Sequence, residues 1–224
     1  MKKSYKSILV LIVLLAVSVS SFAGNKKVRF SCSEPDAKIS VNGKQLGVGQ
    51  LEIIIPSYEC VIVKVEKAAF LISVIEFCNK PNFAPPPKTY YCQMEKDDAY
   101  DASEATDISN IDIEIRTKKS EVDAWKLISQ IITTYFDVIE VTDRETGYLR
   151  TAWIIQTFKQ RTVRTRMIVK LGSTDPLTYK IKLVSEIANA PQTSVKSDEL
   201  FKEWDRVLRK YKEIIHEVQT RLGS

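Results

Sequence analysis

Apolar positions in this chain keep two different rhythms. Between residues 28 and 95 they recur at every second position. Val28-Arg29-Phe30-Ser31-Cys32 and Lys38-Ile39-Ser40-Val41 alternate, as do residues 60–65, and residues 51–55 form an apolar run stopped by Pro56. Residues 70–77 and 89–94 complete the set. A period of two sends successive side chains to opposite faces of a strand. Asn42-Gly43, directly after Val41, predicts a tight hairpin, because both residues accept positive φ. Pro35, Gly47 and Gly49 crowd further turn signals around it, so the chain reverses more than once within a few residues. No part of this stretch carries a helical period. It predicts a small antiparallel β-sandwich over residues 24–96, a size marginal for a lone core.

The next stretch, KDDAYDASEATDISN, is acidic and small, with no apolar period. It predicts a linker over residues 97–110. Beyond it the rhythm mixes periods. Ile111, Ile113 and Ile115 alternate with Asp112, Glu114 and Arg116 as in a half-buried strand. Ser120-Glu121-Val122-Asp123 then reads as a capping box. Val122, Trp125, Ile128, Ile131 or Ile132, and Tyr135 follow at helical spacing. Residues 137–142, 148–158, 162–171 and 177–187 read as strands, separated by Arg144-Glu145-Thr146-Gly147 and by Gly172-Ser173-Thr174-Asp175-Pro176. Leu200, Trp204, Val207 or Leu208, Tyr211, Ile214 or Ile215, Val218 and Leu222 make an apolar stripe, which predicts a long helix from Ser197 onward. The order β-α-β-β-β-β-α predicts a two-layer α+β domain over residues 111–224, with both helices on one face of the sheet.

The N-terminus changes the picture of charge. Lys2, Lys3 and Lys6 precede an apolar run from Ile8 to Val19, and Ser21-Phe22-Ala23 is a small-x-small step. That is the pattern of a secretory signal over residues 1–23, with cleavage after Ala23. The apolar run is short for a membrane span, which needs about 20 residues. The first cysteine after that point is Cys32, so a lipid-bearing N-terminal cysteine is not expected, and no other segment is apolar enough to span. The expectation is an exported, soluble protein of the periplasm or cell surface. The chain has 33 Lys and Arg against 28 Asp and Glu; without the three leader lysines the balance is 30 against 28. The excess of positive charge is thus mostly an export feature, and it does not imply nucleic-acid binding.

Four cysteines, Cys32, Cys60, Cys78 and Cys92, all lie in the first half. An even count in an exported, strand-rich segment implies disulfides, and the lack of a C-x-x-C pair argues against zinc. Three pairings are open. The preferred one joins Cys78 to Cys92, closing the loop that holds Pro85-Pro86-Pro87, and Cys32 to Cys60.

The first half also resembles the PEGA family of small β-sandwich modules. The resemblance rests on Pro35-Asp36-Ala37, on Ile39-Ser40-Val41-Asn42-Gly43 and on Leu46-Gly47, with Val48-Gly49-Gln50 where such modules usually have a Thr-Pro step. It implies an adaptor or binding role and brings no catalytic residues. The second half is similar to the helix-grip domains of BamC-type envelope lipoproteins. The similarity rests on Ala124-Trp125-Lys126-Leu127, on the run from Phe136 to Leu149 through Thr142-Asp143-Arg144-Glu145-Thr146-Gly147, and on the paired strands through Ser185. It implies an accessory or scaffold role in the cell envelope. The missing lipidation cysteine is a departure.

A sheet covered by helices on one side shows its other side to solvent or to a partner. In residues 163–170, Val163, Thr165, Met167 and Val169 share one face and Arg164, Arg166, Ile168 and Lys170 the other. In residues 179–184, Tyr179, Ile181 and Leu183 oppose Lys180, Lys182 and Val184. The apolar sets turn toward the helices. The open face is then expected to carry Arg164, Arg166, Lys170, Lys180 and Lys182, the candidate partner-binding residues. From Arg144 to Lys170 there are seven basic residues and one acid. A plain solvated face that discourages edge pairing is the bland account; an electropositive surface for an acidic protein, glycan or headgroup is the functional one. Ile168 and Val184 would add apolar contacts. Trp153 is read as a core residue, its face depending on a register that alternation alone leaves open.

Little points to an enzyme. His216, the only histidine, sits on the last predicted helix with Lys212 and Thr220 one turn away. There is no G-x-S-x-G, H-E-x-x-H or P-loop, and Gly47-Val48-Gly49 precedes no helix. Asp97, Asp98 and Asp101 fall in the expected linker, and Asp198-Glu199 suits a helix first turn. No cofactor or metal is implied. The expected function is therefore non-catalytic: a scaffold or binding protein of the bacterial envelope that docks a protein partner on its basic sheet. The alternative is a carbohydrate- or cell-wall-binding module acting through Tyr58, Phe83, Tyr90 and Tyr91, of which Tyr90 and Tyr91 cannot both be buried in one strand.

Overall fold

A computed structural model describes residues 24–223, so the expected signal over residues 1–23 lies outside the described residues. The chain is a β-rich α+β protein. It divides into two units, one ending at Glu95 and the other beginning at Lys96.

The N-terminal unit is built from β1 (Lys26–Cys32), β2 (Lys38–Val41), β3 (Lys44–Val48), β4 (Gln50–Ile55), β5 (Cys60–Glu66), β6 (Ser73–Cys78) and β7 (Thr89–Cys92). Hydrogen bonds link them in the order β6-β5-β2-β3-β4-β1-β7. The path is continuous, yet β3 and β4 share a single pair, Val48 with Gln50. Between them Gly49 has φ +67°, and a Cβ there would overlap the Pro35 carbonyl. The chain folds back at this point. Phe30 of β1 therefore meets Phe77 of β6 at 6.4 Å, although four strands separate β1 from β6 along the path. Tyr90 stacks on Phe30 at 5.6 Å, and Val28, Ile39, Ile53, Ile55, Val61, Val63 and Val65 fill the rest of the core. The Asn42-Gly43 turn has positive φ at both residues, as a tight two-residue hairpin requires.

The cysteine pairing differs from the expected one. Cys60 and Cys78 face each other across β5 and β6 and are disulfide-bonded, while Cys32 and Cys92 are buried thiols. Loop closure by proline content suggested Cys78–Cys92. Strand register decides instead, since β6 pairs with β5 and β7 pairs with β1.

In the C-terminal unit, α1 (Asp98–Asp101), β8 (Ser103–Ala105), β9 (Ile113–Arg116) and α2 (Glu121–Tyr135) lead into β10 (Ile139–Asp143), β11 (Tyr148–Thr151), β12 (Ile154–Thr157), β13 (Thr162–Thr174) and β14 (Leu177–Ala188). β15 (Lys202–Glu203), β16 (Arg206–Leu208) and α3 (Ile214–Gly223) follow. The main sheet runs β10-β11-β13-β14-β15, with β12 beside β11 on the edge of β13 and β9 pairing β14. Ser120 caps α2, its hydroxyl accepting from the Asp123 amide at 3.1 Å. Ala124, Ile128, Ile131 and Ile132 of α2 share one core with Ile214, Ile215, Val218 and Leu222 of α3 and with Val163, Met167, Val169, Tyr179, Ile181 and Leu183 of the sheet. Both helices thus cover the same face.

Three expectations fail here. Residues 97–110 are no linker. Asp97 is buried, accepts from the Ala99 amide and pairs with Arg161 at 2.5 Å, and β8 pairs with β16. The small side chains that looked like linker composition let this segment lie close: Ala99 and Ser103 are fully buried. The helix from Ser197 is also absent over most of its expected length. Only residues 214–223 are α-helical, because β14 takes β15, β8 takes β16, and the Arg209 amide donates to Ala102 O. Sheet partners outweighed the helical stripe. Finally, the strand expected over residues 148–158 is broken at Ala152-Trp153.

Candidate functional site

The outer face of β13 is the candidate site, and the break at Ala152-Trp153 shapes it. β11 pairs Leu149 with Val169 and Arg150 with Ile168. β12 pairs Ile154 with Thr165 and Ile155 with Arg164. The register slips by one residue between the two, so Ala152 and Trp153 together stand opposite Arg166. This is a β-bulge, and it flips the inside-outside parity of the residues beyond it. Counting from buried Leu149, Trp153 should point into the core. The bulge turns it outward instead. The Thr151 hydroxyl accepts the Met167 amide at 3.0 Å, satisfying a donor in the broken stretch of ladder.

Turned outward, Trp153 slots between two arginines. The Arg164 guanidinium lies 4.2 Å from the Trp153 ring centre and that of Arg166 4.0 Å from it. Arg164 also lies 4.1 Å from Phe201. The result is a ladder, Phe201–Arg164–Trp153–Arg166, alternating ring and guanidinium. Each such contact contributes about 0.5–2 kcal/mol, more where water is excluded.

The two arginines differ in everything else. Arg164 is 3% exposed. Its Nε donates to Glu186 at 2.7 Å, and its Nη1 donates to Asp198 at 2.6 Å and to Val195 O at 2.7 Å. The segment carrying Val195, Asp198 and Phe201 covers this end of the face. Arg164 is therefore not on an open surface as alternation implied: β13 aims it outward, and a later segment closes over it. Arg166 is half-buried, and its Nε is buried without a hydrogen-bond partner. Burial, and then the charge of Arg150, push its pKa below the ordinary arginine value.

The other candidates divide the same way. Lys180 reaches Glu114 at 3.2 Å, Lys182 reaches Asp112 at 3.5 Å, and Arg150 donates to Glu140 at 3.1 Å. All three pairs are partly exposed and weakly held. Among the described residues no carboxylate pairs with Arg166 or Lys170. The cross-strand register sets Arg166 beside Val184, Ile168 between Arg150 and Lys182, and Lys170 between Tyr148 and Lys180. One strip thus alternates cation and apolar side chain along β13: Arg166, Ile168, Lys170. It ends at a shallow depression of about 200 Å³ lined by Glu114, Gly172, Pro176 and Lys180 among others.

The aromatic candidates of the N-terminal unit separate too. Tyr90 faces the core against Phe30 and Phe77, whereas Tyr58, Phe83 and Tyr91 are 64%, 53% and 61% exposed. Glu76 lies beside Cys60 and Cys78, but with both sulfurs in a disulfide neither offers a thiolate. His216 is exposed on α3. Alternation found the β13 face. It missed the bulge, the covering role of Phe201 and Asp198, and the buried Arg206, whose Nε donates to Ser103 at 2.8 Å and whose guanidinium lies 3.5 Å from the Tyr100 ring. Comparison with protein-family models and with curated proteins finds no match for this chain.

Proposed function

We propose that this is an exported, non-catalytic scaffold or binding protein of the cell envelope, and that it docks an acidic segment of a protein partner on the outer face of β13. One observation carries the reading. Of the cations on that face, Arg166 and Lys170 are left without an ion-paired carboxylate among the described residues, while Arg150, Lys180 and Lys182 each have one and Arg164 has two. Arg166 is already partly desolvated, so a partner carboxylate meets a guanidinium with little water left to lose. Ile168 and Tyr148, both half-buried, supply apolar contact between the charges, whereas Val184, expected to add to it, is buried. The resemblance of the N-terminal unit to PEGA modules and of the C-terminal unit to helix-grip domains agrees with an adaptor role, and the leader-like N-terminus agrees with export.

The test is capture of envelope proteins by wild type and by an Arg166→Glu, Lys170→Glu variant of matched thermal stability. A protein held by wild type and lost by the variant, with capture weakening as salt rises, supports the reading. Equal capture by both overturns it. A second reading, glycan binding by the N-terminal unit, is favoured by the exposed rings of Tyr58, Phe83 and Tyr91. Retention on cell-wall polysaccharide that falls when those three become alanine would support it.

A further inference from the structure

We infer that Cys32 and Cys92 are a second disulfide-forming pair, an oxidative modification site that ties edge strand β7 to β1. β7 is the last strand of its sheet and is held there by four parallel pairs, from Arg29 with Thr89 to Cys32 with Cys92. The two cysteines are in register, and neighbouring strands lie about 4.8 Å apart. A disulfide spans Cα separations of roughly 4.4–6.8 Å, so the register sets the two backbones within its reach. Both side chains turn to the same side: each is buried, and both belong to the apolar cluster around Phe30. Burial pushes the Cys32 thiol up, and nearby Cys92 adds to the rise. The Cys32 thiol now donates to Glu34 O at 3.1 Å and to Gly49 O at 3.3 Å. Those weak bonds are what oxidation gives up. The same unit already carries one cross-strand disulfide, Cys60–Cys78, so the second bond asks for no different environment.

The chemistry is thiol–disulfide exchange. A thiolate of one cysteine attacks an external disulfide, such as oxidised glutathione, and expels one thiolate from it. The second cysteine then attacks the mixed disulfide and expels the other. The pair loses two protons and two electrons, and the external disulfide is reduced to two thiols. Because both sulfurs are buried, the step belongs to folding, before β7 closes over Cys32.

Trypsin places each cysteine on a different peptide. Cys32 falls on the peptide 30–38, Cys60 on 45–64, Cys78 on 68–88, because Lys80 precedes proline, and Cys92 on 89–96. The full chain, folded in a glutathione redox buffer, blocked with iodoacetamide and digested without reductant, is expected to yield peptide 30–38 linked to 89–96. Its intact mass is expected to be about 4 Da below that of the reduced chain. Alkylated Cys32 and Cys92, or either of them linked to Cys60 or Cys78, overturns the inference. Cys32→Ser, Cys92→Ser and the double variant add a second readout. Under oxidising conditions all three are expected to lower the melting temperature by the same amount; losses that add would mean two independent buried thiols. Neither experiment depends on the docking face.

Discussion

The two ends of the outer face of β13 start from the same local sequence logic and finish in opposite states. Arg164 and Arg166 are two residues apart, point the same way and touch the same tryptophan. At the Arg164 end, Glu186, Asp198 and the Val195 carbonyl satisfy the guanidinium, and Phe201 seals it. At the Arg166 end the ladder stops with a cation that has lost water and, among the described residues, forms no ion pair, Glu186 and Glu140 acting on it only through longer-range charge. A buried charge is tolerated where its partners are built in and is expensive where they are not. The closed end is thus a staple within the fold, and the open end is where a partner can supply what is missing.

Breaking the closed end should cost most. Arg164→Ala leaves Glu186 partly buried without its cation and opens a gap between Trp153 and Phe201. A loss of about 3–5 kcal/mol is expected in urea unfolding. If Arg164→Ala unfolds within about 1 kcal/mol of wild type, the contrast between the ends collapses. Asp97→Ala removes the partner of Arg161 at the far turn of the same sheet, where Arg161 also donates to Asn189. Because Arg161 keeps water and Asn189, the loss should be smaller, about 1–2 kcal/mol by the same assay. At the open end the balance reverses. Arg166→Ala is expected to change stability by less than about 1 kcal/mol, since relieved desolvation offsets the lost contact with Trp153. The charge-reversed pair Arg166→Glu, Lys170→Glu should weaken partner affinity about 30-fold in a titration, equal to about 2 kcal/mol.

The smallest expected effect belongs to a carboxylate remote from both ends. Tyr135 of α2 donates to Glu217 of α3 at 2.8 Å, and with Arg221 it holds the Glu217 carboxyl below its usual value of 4.5. A lowered folded pKa means the contribution is complete above 4.5 and fades as pH falls through the folded value. Tyr135→Phe should therefore be less stable than wild type near neutrality, with the gap narrowing in acid. Unfolding curves at several pH values check this; a gap that widens in acid would contradict the assignment.

Strand parity was readable and bulges were not. The alternation in residues 163–170 placed those side chains on the faces they occupy, because the β13–β14 register runs unbroken there and shifts only between Leu171 and Ser173. The same alternation failed at Trp153, since one extra residue inverts parity and no residue there signals it. The stripe from Leu200 to Leu222 misled for a different reason. Apolar spacing records which residues are buried, and Val207, Leu208 and Tyr211 are buried, but in a short strand and a turn. The Cys60–Cys78 bond followed the register of two consecutive strands, β5 and β6, and cysteine spacing alone does not contain that register. The site was half legible: its cations were visible as a pattern, but which of them are neutralised depends on Asp112, Glu114, Glu140, Glu186 and Asp198, brought in from other segments.

The most direct test of the open end is zero-length crosslinking with a carbodiimide, which joins a lysine amine to a carboxylate in contact with it. The chain would be treated with its envelope extract and the products mapped by mass spectrometry. The account predicts intermolecular bonds from Lys170 to aspartate or glutamate of one partner, lost in Arg166→Glu. Intermolecular bonds confined to lysines of the N-terminal unit, with none at Lys170, would contradict it.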